Sequence, residues 1–310
     1  MAVESASGMI DGMTESMSAS ASSKPIHASG TFTLGAFTPD PVTVYRLGFG
    51  AMRITGTGIW GSPPDRDEAI AVLRRAVDLG VDLIDTADSY GPYVSEDLIR
   101  DALHPYEGLI IATKGGLTRQ GPDQWAPVGR PEYLRQCVQM SLRRLGVDRI
   151  DLWQLHRIDP KVPAAEQFGV MREMQAEGLI RHLGLSEVSV ADLRAAQEVI
   201  DIVSVQNLHH VQQRQSQALL DACTESGIGF IPWFPLGGRT LVAPDGPLAG
   251  IASRLGCTPS QVALAWLLQS SPVMLPIPGT GSLAHLDENC DGALVQLDPA
   301  AIAELDALAG

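Results

Sequence analysis

The chain has 310 residues and a formal net charge of −14, from 22 Lys and Arg against 36 Asp and Glu. That balance excludes a phosphate backbone or an anionic membrane surface as an expected partner, because both require clustered cations. With 45% hydrophobic residues the chain can bury a large core, and Cys137, Cys223, Cys257 and Cys290 show neither CxxC spacing nor neighbouring histidines, so reduced thiols are expected rather than disulfides or a zinc site.

Residues 1–30, MAVESASGMIDGMTESMSASASSKPIHASG, are rich in Ser, Ala and Gly. They offer neither the basic start nor the apolar middle of a signal peptide, and they read as a disordered extension of a cytoplasmic protein. No later stretch reaches the roughly 20 apolar residues of a membrane span. A single domain is expected over 31–310. It opens with two alternating runs, TFTLGA and VTVYRL, that predict a β-hairpin. Strands are then predicted at 46–52, 81–87, 109–116, 150–157, 180–187, 202–210, 228–237 and 273–280. Between them lie amphipathic segments such as RDEAIAVLRRAVDLG and RPEYLRQCVQMSLRRLG, which end at glycines suited to a helix C-terminus. Strands and helices in this alternation predict an α/β fold, a closed (β/α)8 TIM barrel with an N-terminal β-hairpin. The competing open doubly wound sheet wants an early GxGxxG opening a helix, and GFGAMR after the first strand does not supply it.

Each predicted strand is apolar along its body and polar at its C-terminal end: Asp85, Lys114, His156, Ser186 with Glu187, and Gln206. One such residue is ordinarily a solvated rim group, but five successive strands in a barrel bring their ends to one face, where active sites form. Asp85 and Lys114 sit on adjacent strands at one height and predict an ion pair, which is equally a structural salt bridge. Tyr90 follows five residues after Asp85 and can lean over the mouth. A phenol with a pKa near 10 is a poor acid at neutral pH, and a nearby ammonium lowers that value. In this reading Asp85 holds Lys114, Lys114 tunes Tyr90, and His156 bonds a substrate oxygen.

DTADSYG, IATKGG, LWQLHR and GLSE, in this order and on these strands, resemble the aldo-keto reductases, and the resemblance extends through VQNLHHVQQR, GIGFIPWFPLG and LPIPGTGSLAHLDEN. Within the family it is similar to a bacterial branch associated with aldehyde and pyridoxal reduction. It implies a catalytic tetrad of Asp85, Tyr90, Lys114 and His156, with NADP(H) as the favoured cofactor and a small carbonyl compound as substrate. Tyr90 would protonate the carbonyl oxygen and His156 would orient it.

The same resemblance implies a cofactor site. Ser186, Glu187 and Gln206 would hold the nicotinamide carboxamide, where relatives have Asn in place of Glu187. A carboxylate accepts from the amide NH₂ but cannot donate to its carbonyl. His209 stands where relatives commonly place a tyrosine that stacks on the nicotinamide. The first strand's end, Gly50, Ala51 and Met52, joins the site. The phosphate corner would be built from Trp233, Phe234, Pro235, Leu236 and Gly237 after the seventh strand. After the eighth come Gly279, Thr280, Gly281, Ser282, His285, Glu288 and Asn289. Gly279 and His285 occupy positions where relatives carry a lysine and an arginine for the 2′-phosphate, so NAD(H) stays open, with Arg239 or Arg254 as substitute cations.

Trp60, Tyr93 and Trp125 are expected to line the substrate pocket. Two functions follow: an NAD(P)H-dependent carbonyl reductase, or a cofactor-binding regulatory protein on the same barrel with slow or no turnover. The acidic surface points to a monomer or a weak homo-oligomer.

Overall fold

The structure, a computed structural model, describes residues 24–309. The chain enters through a 3₁₀ turn at Pro25–Ser29, whose Ile26 is fully buried in the main core. The Ser29 carbonyl accepts from Arg46 Nε at 2.8 Å, and its hydroxyl oxygen accepts from the Leu47 N–H at 3.2 Å. This moves the expected boundary: residues 24–30, assigned to the extension, pack on the domain. The rest of the expected extension, 1–23, lies outside the described residues.

The hairpin forms as read, with β1 (Thr31–Leu34) antiparallel to β2 (Val42–Tyr45). Its inward residues Leu34 and Val44 plug the barrel floor against Leu83, Ala112, Leu152, Val203 and Ile231. The barrel strands follow in chain order: β3 (Phe49–Gly50), β4 (Leu83–Asp85) and β5 (Ile110–Gly115). A second antiparallel hairpin, β6 (Leu117–Gly121) with β7 (Gln124–Pro127), stands above β5. Then come β8 (Ile150–Leu155), β9 (Ile180–Ser186), β10 (Ile202–Leu208) and β11 (Gly229–Trp233). The seven barrel strands pair in parallel in the order β3, β4, β5, β8, β9, β10, β11.

The eighth arc is not a regular strand, for a chemical reason. Residues 273–278 run between β11 and β3 and join them by backbone bonds: Phe230 N–H to the Val273 carbonyl (2.8 Å) and Leu275 N–H to the Phe230 carbonyl (2.8 Å) on one side. On the other side Gly48 and Gly50 donate to the carbonyls of Pro276 (2.9 Å) and Pro278 (3.3 Å). The two prolines have no N–H to return, so this arc only accepts toward β3. Closure is tight there: a Cβ on Gly50 would lie 2.6 Å from the Ile277 carbonyl oxygen, and one on Gly279 would lie 2.4 Å from that of Gly50. Both positions need glycine because two backbones cross at contact distance.

Amphipathic helices cover the outside, among them α1 (Arg66–Asp78), α2 (Val94–Leu103) and α3 (Pro131–Leu145). The α1 start is capped by the Asp65 carboxylate accepting from the Glu68 N–H at 2.9 Å, and α3 ends at Gly146 in the left-handed conformation. None of the described helices is long and apolar enough to cross a membrane.

Candidate active site

Alternation along the strands decides which side chains look into the barrel. Leu83 faces the floor, so Asp85 faces in above it; Ala112 does the same for Lys114, and Leu152 for Gln154 and then His156. All converge at the C-terminal end, where Asp85 and His156 line a cleft of about 860 Å³ and Lys114 and Gln154 lie buried beneath it.

Lys114 is fully buried and spends its three N–H groups there: on Asp85 Oδ1 (2.6 Å), the Thr86 carbonyl (2.8 Å) and the Tyr90 hydroxyl (3.3 Å). Asp85 Oδ2 accepts from the Nε2 atoms of Gln154 (3.1 Å) and Gln206 (2.9 Å). A buried ion pair is tolerable when its remaining lone pairs are bonded in this way. Burial acts to lower the Lys114 pKa, but the Asp85 carboxylate and Tyr90 outweigh it and hold it above the ordinary value. The ammonium is therefore permanent at neutral pH.

Tyr90 departs from its sequence expectation. Burial pushes the phenol above its ordinary value, and Lys114 opposes the shift without overcoming it. The group is a phenol at neutral pH, able to give a proton. His156 lies edge-on to Tyr90, 5.9 Å between ring centres. Burial, with Lys114, Arg157 and Arg119 nearby, drives its pKa well below 6.5, so the ring is neutral. Its Nδ1 lies 3.3 Å from the Ser89 hydroxyl.

At the neighbouring wall, Ser186 Oγ accepts from Arg157 Nη1 at 3.0 Å, which leaves the hydroxyl proton free to donate. Gln206 gives its NH₂ to Asp85, which leaves its amide oxygen to accept. One free donor and one free acceptor match a carboxamide. Trp233, at the end of β11 next to β10, continues this wall, and Phe234, Pro235 and Leu236 follow it, with Gly50, Met52 and Gly279 along the closing arc.

Several expected residues lie elsewhere. His209 does not reach the cleft: it is fully buried behind β10, stacked on Trp266 at 5.8 Å and edge-on to Phe230 at 5.7 Å. Gln206 and Leu208 point inward, so the next residue turns out. Glu187 has a left-handed backbone (φ 55°), and its Oε1 accepts from the Trp233 indole N–H (2.5 Å) and the Leu208 N–H (2.8 Å). Ala51 and Gly237 do not line the cleft, and neither do Thr280, Gly281, Ser282 or His285. Ser282 instead caps the helix Leu283–Asp291. Glu288 is bonded to Thr258 (2.7 Å), and Asn289 is buried beneath. Asp287 is paired with Arg75 at 2.8 Å.

Of the expected pocket aromatics, Trp125 lines the cleft, while Trp60 and Tyr93 do not. Trp60 rests near Arg119 (5.6 Å), and Tyr93, at the start of α2, turns outward under Arg144 (4.3 Å). Arg119 was missed by sequence reasoning. Its guanidinium lies 3.5 Å from the Trp125 ring centre and donates to the carbonyls of Gly58 (3.0 Å), Ile59 (2.8 Å) and Ser89 (2.7 Å), tying the loops after β3 and β4 to the β6–β7 hairpin. Arg53 and Arg157 were missed too. Arg53 lines the cleft beside Gly279, as does Arg239, whereas the other suggested cation, Arg254, is spent on Glu304. Among the described residues no cluster suited to a metal ion occurs.

A family model described as the aldo/keto reductase family matches residues 46–309. The chain belongs to the aldo/keto reductase family. It is 53% identical, over 94% of both chains, to an uncharacterized oxidoreductase of Schizosaccharomyces pombe. To pyridoxine 4-dehydrogenase of Escherichia coli it is 43% identical over 91% of this chain and 99% of the relative. The solved glycerol dehydrogenase of Gluconobacter oxydans superposes with a TM-score of 0.81 at 25% identity, covering 91% of this chain and 95% of that one. This aldo/keto reductase is thus an oxidoreductase on a (β/α)8 barrel, and NAD(P)H-dependent reduction of carbonyl compounds is the chemistry of its family.

Proposed function

We propose that the protein reduces an aromatic aldehyde of the pyridoxal type to its alcohol, with Tyr90 as the proton donor. The observation that carries this reading is the Lys114 ammonium held between Asp85 and the Tyr90 hydroxyl on the cleft floor. Bound in the cleft, NADPH supplies hydride to the carbonyl carbon. His156, neutral and fixed beside Tyr90, bonds the carbonyl oxygen and orients it. As negative charge grows on that oxygen, the Tyr90 phenol gives up its proton, and Lys114 stabilises the phenolate that remains. Asp85 keeps Lys114 in place and does not itself transfer a proton.

The residues present fit a nicotinamide dinucleotide. Ser186 and Gln206 present the donor and acceptor that a carboxamide needs, and Trp233 offers a flat face beside them. Arg53 and Arg239 line the same cleft and have no carboxylate partner among the described residues, which favours NADP(H) over NAD(H) through its extra phosphate. The aromatic substrate class is supported by Trp125 in the cleft and by the likeness to pyridoxine 4-dehydrogenase. The assembled proton-transfer groups support turnover over a regulatory protein that only binds cofactor.

The test is aldehyde-dependent oxidation of NADPH, with pyridoxal compared with a short aliphatic aldehyde. Tyr90→Phe should lower the chemical rate by about 10²-fold or more, the scale of general acid catalysis, while cofactor affinity is nearly unchanged. Full activity in that variant would remove Tyr90 from its role. Preference for the aliphatic aldehyde would remove the substrate class.

A further inference from the structure

Glu187 is an odd residue in an odd conformation. It follows Ser186 at the tip of β9, adopts φ 55° where a side chain is strained, and is exposed. Left-handed backbone at a residue other than Gly, Asn or Asp persists only when the surroundings enforce it. Here the enforcement is visible. The Glu187 N–H donates to the Gln206 carbonyl at 2.9 Å, and its Oε1 accepts at once from Leu208 N–H, at 2.8 Å, and from the Trp233 indole, at 2.5 Å. One carboxylate oxygen therefore joins the tips of β9, β10 and β11. With Oε1 doubly engaged, only Oε2 remains to accept from a carboxamide.

We propose that Glu187 is a positioning residue: it fixes the plane of the Trp233 indole as a wall of the cleft, and it contributes to cofactor grip through that ring. An indole on a strand end has two free torsions, and neither is set by the apolar contact with Phe234, whose ring is tilted 45° at 6.2 Å. A hydrogen bond from Nε1 to a charged acceptor sets both. Holding the ring ready removes an ordering cost that binding would otherwise bear. This rests on the reading that the cleft takes the dinucleotide with its nicotinamide end near Ser186 and Gln206.

Calorimetric titration of NADPH into wild type, Glu187→Gln, Glu187→Gly, Trp233→Phe and the Glu187→Gly/Trp233→Phe double variant tests it, with thermal unfolding of each. Glu187→Gln keeps an acceptor oxygen and should bind within about twofold of wild type. Glu187→Gly relieves the left-handed strain, so its Tm should hold or rise, yet its Kd should rise about fivefold, the loss of one ordered ring. The double variant should bind no worse than Trp233→Phe alone, because both changes remove the same contact. Wild-type affinity in Glu187→Gly, or strictly additive losses in the double variant, would overturn the positioning role while leaving the cofactor reading intact. Failure of the wild type to bind would overturn both.

Discussion

The Lys114 ammonium sits 2.6 Å from the Asp85 carboxylate with both side chains inside the barrel, and its third proton points at the Tyr90 hydroxyl. Removing one partner leaves the other as a buried, uncompensated charge. Lys114→Met should therefore destabilise the protein by about 3–5 kcal/mol as well as abolish most turnover. Because Lys114 is held above its ordinary 10.5, the pair's contribution is complete below that pH and is lost only as pH rises beyond it. The gap between wild type and variant, measured by urea unfolding, should stay level from pH 6 to 9.

Asp88 gives the opposite kind of pH dependence. It is buried two residues before Tyr90 with Oδ1 lacking a partner, and burial, with the Glu96 carboxylate adding to it, raises its pKa from 3.8 to about 7. A carboxyl raised on folding contributes stability below its unfolded value and loses it as pH climbs through the folded one. Asp88→Asn, which stays neutral, should gain on the wild type between about pH 4 and pH 7 by at most about 4 kcal/mol. A Tm difference that does not change over this range would contradict the assignment.

His209 lies behind the wall, its two ring nitrogens buried without hydrogen-bond partners among the described residues, and burial lowers its pKa to about 4. Replacing it with Phe should leave NADPH affinity unchanged. Stability should shift by no more than about 1.5 kcal/mol, since a hydrophobic ring of similar size replaces an unsatisfied polar one. A marked loss of affinity on titration would return His209 to the cofactor site.

Arg53 and Arg239 should separate the two dinucleotides. Their joint replacement by Met should weaken NADPH about tenfold, the worth of a charge-assisted contact, and NADH far less. Arg254→Met, whose arginine is occupied by Glu304, serves as the control and should bind both as the wild type does. Equal losses for the two cofactors would mean that the arginines grip the shared pyrophosphate.

The barrel and the polar floor of its cleft were legible because apolar strand bodies that end in charge mark both the strand and the face it serves. Asp85, Lys114 and His156 needed only that pattern, and Tyr90 only a short loop from Asp85. The errors fall where strands stop. His209 lies one residue beyond β10, and continuing the alternation from Gln206 would have turned it outward. Residues 273–280 read as a strand, but the prolines at 276 and 278 lack the donors that make a ladder toward β3. Arg119 acts through the backbone carbonyls of distant loops, Arg157 through Ser186 at the end of the neighbouring strand, and Arg53 reaches the cleft from a 3₁₀ turn, and a linear sequence carries no signal for any of these placements. The phenol of Tyr90 was misjudged because burial, invisible in sequence, outweighs the cation beside it.

The proline arc gives the barrel a seam. Everywhere else in the ring a strand trades bonds with both neighbours, but between residues 273–278 and β3 the traffic runs one way, and the crossing glycines at 50 and 279 add no side chain to hold it. That seam forms one bank of the cleft. A ligand lying along it would act as a clasp, joining two arcs that the backbone only half joins. Amide exchange at Gly48 and Gly50 should then slow on filling the cleft more than exchange in β8 or β9, and the resistance of the empty barrel to opening should be governed by this one arc.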